Sequence, residues 1–396
     1  MMLPLNPDLA ATFRPPVMEA RRWLEGASFP ADRPLINVSQ AAPVEPPPEG
    51  LRRAIADASV TRAEAHLYGP VLGNPDLRAA VAEAFSTAYG ATLRAENVAI
   101  TPGCNQAFCI AAASVAQRGD QVIVPVPWYF NHKMWLDMQG IEAVPLKCGP
   151  GMVPDPQAAA ALITPRTRAI LLVTPNNPSG AEYPAEVLRG FYDLARARGL
   201  ALIVDETYRD FDSRDTAPHG LFSDPDWGEV LIQLYSFSKA YRLTGHRVGA
   251  LVASGARQVQ VEKLLDTLSI CTAQLGQIGA LWGMQNLQGW LAGERQEILR
   301  RRAAMERAVA GLDGWRLKGC GAYFAWVEHP FAEDSATLAQ RLVHEAGVLL
   351  LPGTMFMPKG DPDGARHLRI AFANVDEAGI AALADRLRAL AGRAIP

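Results

Sequence analysis

Short, mostly apolar runs that stop abruptly on polar side chains constrain this chain more than any other feature. They occupy residues 121–126, 168–173, 200–204 and 230–234. A run of four to eight apolar residues without alternation reads as a strand covered on both faces. Helical patterns lie between the runs, most clearly at 184–198, so the expected fold is α/β with a mostly parallel sheet. In such sheets ligands bind beyond the carboxyl ends of the strands. Asn177, Asp205, Ser236 and Lys239 all fall at such ends, on three different runs. At 396 residues the chain is long enough for two lobes with a sizeable core.

Lys239 stands out by composition. The chain holds six lysines among 38 basic residues, so arginine carries most of its positive charge. A lysine kept where a buried strand ends is placed to lose its proton by desolvation and attack a carbonyl, which arginine cannot do. Three readings are open at this point. Lys239 forms a Schiff base with a cofactor, Ser236-Phe237-Ser238-Lys239 is the S-x-x-K of a serine acyl-enzyme, or the lysine is a surface residue. The second lacks a Lys-Thr-Gly or Lys-Ser-Gly motif anywhere in the chain. Asp205 follows a fully apolar run directly, and a buried carboxylate there must be paired or functional.

Taken in order, residues 1–50 are proline-rich, with a short helix expected over 16–26 and a short strand at 36–38, and read as an arm wrapping a larger body. A Gly/Pro loop around Tyr68 precedes a helix capped by Asn74 and ended by Gly90. The strand at 97–100 leads into Thr101-Pro102-Gly103-Cys104-Asn105, a glycine turn opening a helix whose free N–H groups suit a phosphate. Strand 121–126 ends in Pro127-Trp128-Tyr129-Phe130, aromatics suited to stacking on a planar ring. Strand 248–252 follows a turn bearing Arg247. Beyond residue 255 a long charged helix at 285–311, short strands at 322–327, 348–351 and 368–372, and a final helix from Glu377 describe a smaller α+β lobe. In its last strand, Arg369 alternates away from Leu368 and Ile370 and so can face a cleft.

The totals exclude several classes. A net charge of −3 gives no basis for nucleic acid or an anionic membrane as partner. No apolar run approaches the ~20 residues of a membrane span. The N-terminal Met-Met-Leu-Pro-Leu-Asn-Pro lacks the pattern of a signal peptide. Five cysteines without metal-like spacing suggest reduced thiols in the cytoplasm, and no histidine cluster suggests a metal. Neither a G-x-G-x-x-G after a strand nor a G-x-x-x-x-G-K-[ST] is present.

Asn177-Pro178-Ser179-Gly180, Asp205-x-x-Tyr208 and Ser236-x-Ser238-Lys239, with Arg247 eight residues on, occur in that order. Together they resemble the fold type I pyridoxal-phosphate enzymes, specifically the class I/II aminotransferases of the aspartate aminotransferase superfamily. The resemblance runs from about Ile36 to the C-terminus. It implies a large domain with a seven-stranded, mostly parallel sheet between helices, and a smaller α+β domain from the N-terminal arm and C-terminal part. The implied boundaries are an arm and lid at 1–48, a cofactor domain at 49–284 and a small domain at 285–396.

The same resemblance implies roles. Lys239 would carry pyridoxal 5′-phosphate and shuttle the substrate proton, while Asp205 would pair with the pyridinium nitrogen. Tyr208 and Asn177 would bond the ring oxygen, and Tyr129 would stack on the ring. His132 would stand behind Asp205. Gly103, Cys104 and Asn105, with Ser236 and Arg247, would cradle the phosphate. Tyr68 would reach the phosphate of a neighbouring subunit, which makes a homodimer part of the expectation. Arg369 would clamp the α-carboxylate of an amino acid or 2-oxo acid, near Ala41 and Asn177.

Two departures accompany it. Ala41-Ala42-Pro43 stands where the family usually has Gly-x-Pro, which bears on pocket width and on the position of the arm. No arginine falls in a motif that assigns it to a side-chain carboxylate, which favours neutral or aromatic amino acids. A C–S β-lyase on the same scaffold is the nearest alternative. A ligand-sensing domain of a transcription regulator is more distant, because the residues before Ile36 are too few and not basic enough for a DNA-binding domain.

Overall fold

A computed structural model of the chain describes residues 5–391. The first four residues of the expected arm and the last five of the expected small domain lie outside it. The strands, in chain order, are β1 (Ile36–Asn37), β2 (Val98–Thr101), β3 (Gln121–Val126), β4 (Glu142–Lys147), β5 (Thr167–Val173), β6 (Ala201–Asp205) and β7 (Leu231–Ser236). They continue with β8 (Gly249–Val252), β9 (Arg316–Gly321), β10 (Phe324–Glu328), β11 (Val348–Leu349), β12 (Leu351–Pro352) and β13 (His367–Ile370).

The main sheet has seven strands in the order β2-β8-β7-β6-β5-β3-β4. Only β8 is reversed, pairing antiparallel with both β7 and β2. The chain therefore leaves β7 at its carboxyl end, turns through Lys239 and Arg247, and returns beside it. The centre of the sheet is apolar on both faces. Leu202, Val204 and Ile170 face one core, and Ile203, Leu171 and Val124 the other. Burying each such side chain contributes roughly 1.5–3 kcal/mol, which explains why these strands show no polar alternation.

A four-stranded antiparallel sheet, β12-β13-β10-β9, forms the second lobe. Its core is shared by the helices Gln288–Ala310 and Glu377–Ala391. The arm joins this lobe, because β1 pairs in parallel with β11. The arm helix Pro16–Arg22 buries Pro16 and Ala20, with Ala20 in a cluster that includes Phe130 and Leu349.

Several expected elements differ in extent. The long helix starts at Gln288, and a separate helix, Gln274–Asn286, precedes it with a break at Leu287. The strand expected from 322 begins at Phe324, since Ala322 adopts φ 45° in the turn after β9. β4 and β9 had no reading in the sequence. β4 is an edge strand, half exposed and interrupted by Pro145, a position where proline is tolerated. No helix among the described residues is long and apolar enough to cross a membrane.

Candidate active site

A cavity of about 420 Å³ opens at the carboxyl ends of β5, β6 and β7. Its wall brings together Cys104, Asn105, Tyr129, Asn177, Asp205, Tyr208, Ser236, Lys239, Arg247, Arg369 and Ala41, all singled out from sequence. Gly103 lies just behind, as the N-cap of the helix Cys104–Ala113. Tyr68 is elsewhere: its side chain is off the cavity wall and the residue is 79% exposed.

Each side chain is aimed by its local structure. Asp205 ends β6, and its Oδ1 accepts the Thr207 N–H at 2.9 Å. The Cys104 thiol lies 3.5 Å from the same oxygen, and His132 Nε2 lies 3.2 Å from Oδ2. Burial by itself would raise this carboxyl. Instead His132 and Thr207 outweigh it and hold Asp205 below its ordinary value, so it faces the cavity ionised. Burial pushes the Cys104 thiol up, as does the neighbouring Asp205, which leaves it a neutral donor.

Lys239 lies in the single turn Phe237–Ala240 that Ser236 caps. Its Nζ donates to the Ala41 carbonyl at 2.6 Å. Burial, with Arg247 and Arg369 adding like charge, lowers the amine from 10.5 to about 8. That is the condition the sequence argument required of a nucleophilic lysine.

Arg247 adopts φ 50°, a left-handed conformation unusual for a residue of its size. The guanidinium donates to Ser238 Oγ at 3.2 Å and to the Thr244 carbonyl at 3.1 Å. Gly103, at φ 86°, lets it approach the helix N-terminus, because a Cβ there would collide with Arg247 Nη2. Strain held at a cavity wall points to a binding role. Gly103→Ala is accordingly expected to push the Arg247 guanidinium from the helix N-terminus and weaken binding of an anion between them at least roughly tenfold, the scale of one lost charged hydrogen bond. Titrating the protein with inorganic phosphate measures this.

The adjacent asparagines divide their work. Asn176 ties its own turn, accepting the Ser179 N–H at 3.0 Å and the Ser179 hydroxyl at 2.7 Å. Asn177 faces the cavity and accepts from Arg369 Nη1 at 3.1 Å. Gly180, at φ 75°, has no room for a Cβ against the backbone of Gly321 and Phe324, so the glycine of that motif serves contact between the lobes. Arg369 is buried between the Phe324 and Phe356 rings, with centroids at 5.2 and 4.9 Å, and also donates to the Ser39 carbonyl. Its Nε has no partner among the described residues. Burial lowers it to about 10, which keeps it cationic at neutral pH. Tyr129 donates to Asn105 Oδ1 at 3.3 Å and lies edge-on to His132, with centroids 4.9 Å apart. The Tyr208 ring packs on Tyr323 and Phe324.

Sequence reasoning missed Thr207, which anchors Asp205, and Arg21, on the cavity rim. Arg21 projects from the arm helix and donates to Gln40 Oε1 at 2.8 Å. Thr207 offers no signal beyond its place after Asp205, and Arg21 none at all, because the arm is brought to the rim by long-range packing.

The groups present suit pyridoxal phosphate. An amine with a lowered pKa, an ionised carboxylate, an aromatic ring and a strained arginine beside a helix N-terminus are the donor set that an aldehyde, a pyridinium, a planar ring and a phosphate require. Comparison with known proteins agrees. Residues 33–387 match the family Aminotransferase class I and II. An aspartate/prephenate aminotransferase of Thermus thermophilus is 30% identical over 356 residues, covering 87% of each chain. The Arabidopsis thaliana aromatic aminotransferase ISS1 is 29% identical over 339 residues, covering 81% of each. The structure of Thermus thermophilus aspartate aminotransferase with maleate superimposes with a TM-score of 0.88 at 26% identity, over 98% of this chain and 100% of that one. The chain therefore belongs to the class I and II aminotransferases and is a pyridoxal-phosphate-dependent aminotransferase.

Proposed function

We propose that the enzyme moves the amino group of a neutral or aromatic L-amino acid to a 2-oxo acid. The observation that carries this reading is the part of the cavity wall supplied by the arm, where Pro15, Val17 and Met18, with Phe130, add apolar side chains to the lining. Arg21 stands at the rim with its guanidinium on the neutral Gln40 amide. The relatives support the reaction type and do not favour the β-lyase.

Pyridoxal phosphate, when bound, supplies an electron sink conjugated to the carbon that gains or loses the amino group. The residues supply the rest. Arg247, Ser236 and the N–H groups of Cys104 and Asn105, opened by Gly103, hold the phosphate. Asp205 keeps a proton on the ring nitrogen by offering an ionised, fixed acceptor in a poorly solvated site. Tyr129 would cover one ring face, and Tyr208 and Asn177 would donate to the ring oxygen. Arg369 fixes the substrate α-carboxylate beside Ala41, which sets the α-carbon near Lys239. Lys239 would hold the cofactor through its amine and, when that amine is free, would take the proton from the substrate α-carbon and carry it to the far side of the transferred nitrogen. An amine that is partly unprotonated near neutral pH suits both tasks.

Tyr68, with the exposed Val60 and Leu67 nearby in the chain, supports a homodimer in which Tyr68 completes the partner's phosphate site. The arm at 1–48 would be part of the small domain and its lid, with a cofactor domain at 49–284 and the rest of the small domain at 285–396; the pairing of β1 with β11 supports this. The cysteines are free thiols, which supports the reducing cytoplasm.

A panel of amino donors tests the substrate class. Donors such as phenylalanine or leucine are expected to exceed aspartate in kcat/KM at least about tenfold. The reverse ranking would contradict the proposal. Arg21→Met is expected to change the neutral donors by less than about threefold.

The lowered lysine pKa also fixes a pH dependence. The free amine of the apoprotein grows as pH rises through about 8, well below the ordinary 10.5. Cofactor uptake, followed by visible absorption, is expected to accelerate across that lower midpoint. Between these values the unfolded chain holds the proton and the folded chain does not, so apoprotein stability rises with pH through this window.

A further inference from the structure

Behind the cavity, on the reverse face of the β6 and β7 ends, lies a buried charged network that the reaction itself does not use. Successive residues leaving a strand alternate faces, so Asp205 points to the cavity and Glu206 away from it. The Tyr89 hydroxyl donates to Glu206 Oε2 at 2.6 Å, and Gln233 Nε2 donates both to Glu206 Oε2 and to the Tyr89 hydroxyl. His219 Nδ1 accepts the Leu221 N–H at 3.3 Å, which leaves its Nε2 to carry the proton, 3.4 Å from Glu206 Oε2. Arg209 closes the turn. Its guanidinium lies over the Phe85, Tyr89 and Tyr235 rings at 4.2, 4.9 and 5.7 Å and donates to the Tyr89 hydroxyl at 3.3 Å.

Glu206 and Arg209 thus bracket Tyr208 and Thr207, and Asp205 immediately precedes them. The backbone joins the same frame, with Glu206 N–H on the Leu234 carbonyl at 2.9 Å and Arg209 N–H on the Glu206 carbonyl at 3.1 Å. Burial alone would raise the Glu206 carboxyl, but His219, Arg209 and Tyr89 outweigh it and keep it ionised. A buried carboxylate and guanidinium are a poor way to gain stability, since apolar packing of the same volume does as well or better. They do fix direction, and catalytic groups must be held within about 0.5 Å of their working geometry.

We propose that Glu206 and Tyr89, which touch neither cofactor nor substrate, are positioning residues that aim Asp205 and Tyr208 by anchoring the reverse face of the 205–209 turn. This rests on the roles given above to Asp205 and Tyr208. The test uses the holoenzyme with Glu206→Gln, which removes the charge at constant shape, and Tyr89→Phe, which removes one donor. Asp205→Asn and Tyr208→Phe are run in parallel.

Glu206→Gln is expected to lower kcat roughly tenfold or more while KM changes little, the signature of misaimed groups. The pH midpoint of the cofactor's visible band should move by at least about half a unit, because Asp205 and Tyr208 set the charge around the ring. Tyr89→Phe should move both readouts in the same direction, and it decides the matter if Glu206→Gln does not fold. A kcat within about twofold of wild type and an unmoved band, with only the melting temperature lowered, would mean a purely structural network and overturn the proposal. If Asp205→Asn and Tyr208→Phe themselves stay fully active, the roles assigned to those two residues fail instead.

Discussion

Lys239→Ala is expected to lower transamination by about 10³- to 10⁴-fold, the range of a lost positioned base, with folding retained. The side chain occupies a cavity wall and, among the described residues, makes a single hydrogen bond, to the Ala41 carbonyl. Its loss removes a partly desolvated amine and no core packing, so the melting temperature should change little. The variant should still bind pyridoxal phosphate through Arg247, Ser236 and the helix N-terminus, but without the covalent link. Lys239→Arg separates charge from chemistry: it restores a cation yet cannot condense with an aldehyde. It is expected to be as inactive as alanine. Single-turnover measurements on both variants check this, and activity of the arginine variant near wild type would refute the role of the amine.

The second large effect is at Asp205. Asp205→Ala removes the anion that keeps the ring nitrogen protonated, and kcat should fall roughly 10²- to 10³-fold, the range seen when one preorganised electrostatic partner is lost. The change also strips the Thr207 N–H, the Cys104 thiol and His132 of their shared acceptor. Some loss of stability is therefore expected, since those buried donors are left unpaired. Asp205→Glu keeps the charge but lengthens the chain, and should retain more activity than alanine while binding cofactor less tightly. Steady-state kinetics with cofactor in excess separates the two effects.

Much of this site was legible because its residues sit where apolar strands end. A strand buried on both faces admits a polar residue only where it finds a partner, as Gln233 does, so Asn177, Asp205 and Ser236, placed where the apolar runs stop, mark the sheet edge. The sheet edge in turn supplies the cavity, which is why Lys239 and Arg247 could be placed without coordinates. Arg369 was placed on the correct face by strand alternation, and the structure shows it buried, not solvent-exposed.

What escaped notice depends on long-range packing or weak local pattern. β4 is half exposed and carries Pro145, so it lacks the continuous apolar run of its neighbours. The helix Gln274–Asn286 is rich in glycine and shows little periodic contrast. Gln233 sits inside an otherwise apolar strand, and its contacts with Glu206 and with Tyr89, 144 residues away in sequence, give it meaning. Arg21 reaches the rim because Ala20 beside it is buried against residues from both lobes. Glu206 was visible only as the neighbour of Asp205; its partners Tyr89 and His219 lie on separate elements.

The visible absorption of the purified holoenzyme, before and after adding an amino-acid mixture free of 2-oxo acid, tests the central claim most directly. The expected result is a yellow band that bleaches as the cofactor takes the amino group, and returns when a 2-oxo acid is supplied. A folded protein that shows no such band after incubation with pyridoxal phosphate would contradict the cofactor assignment and every role built on Lys239.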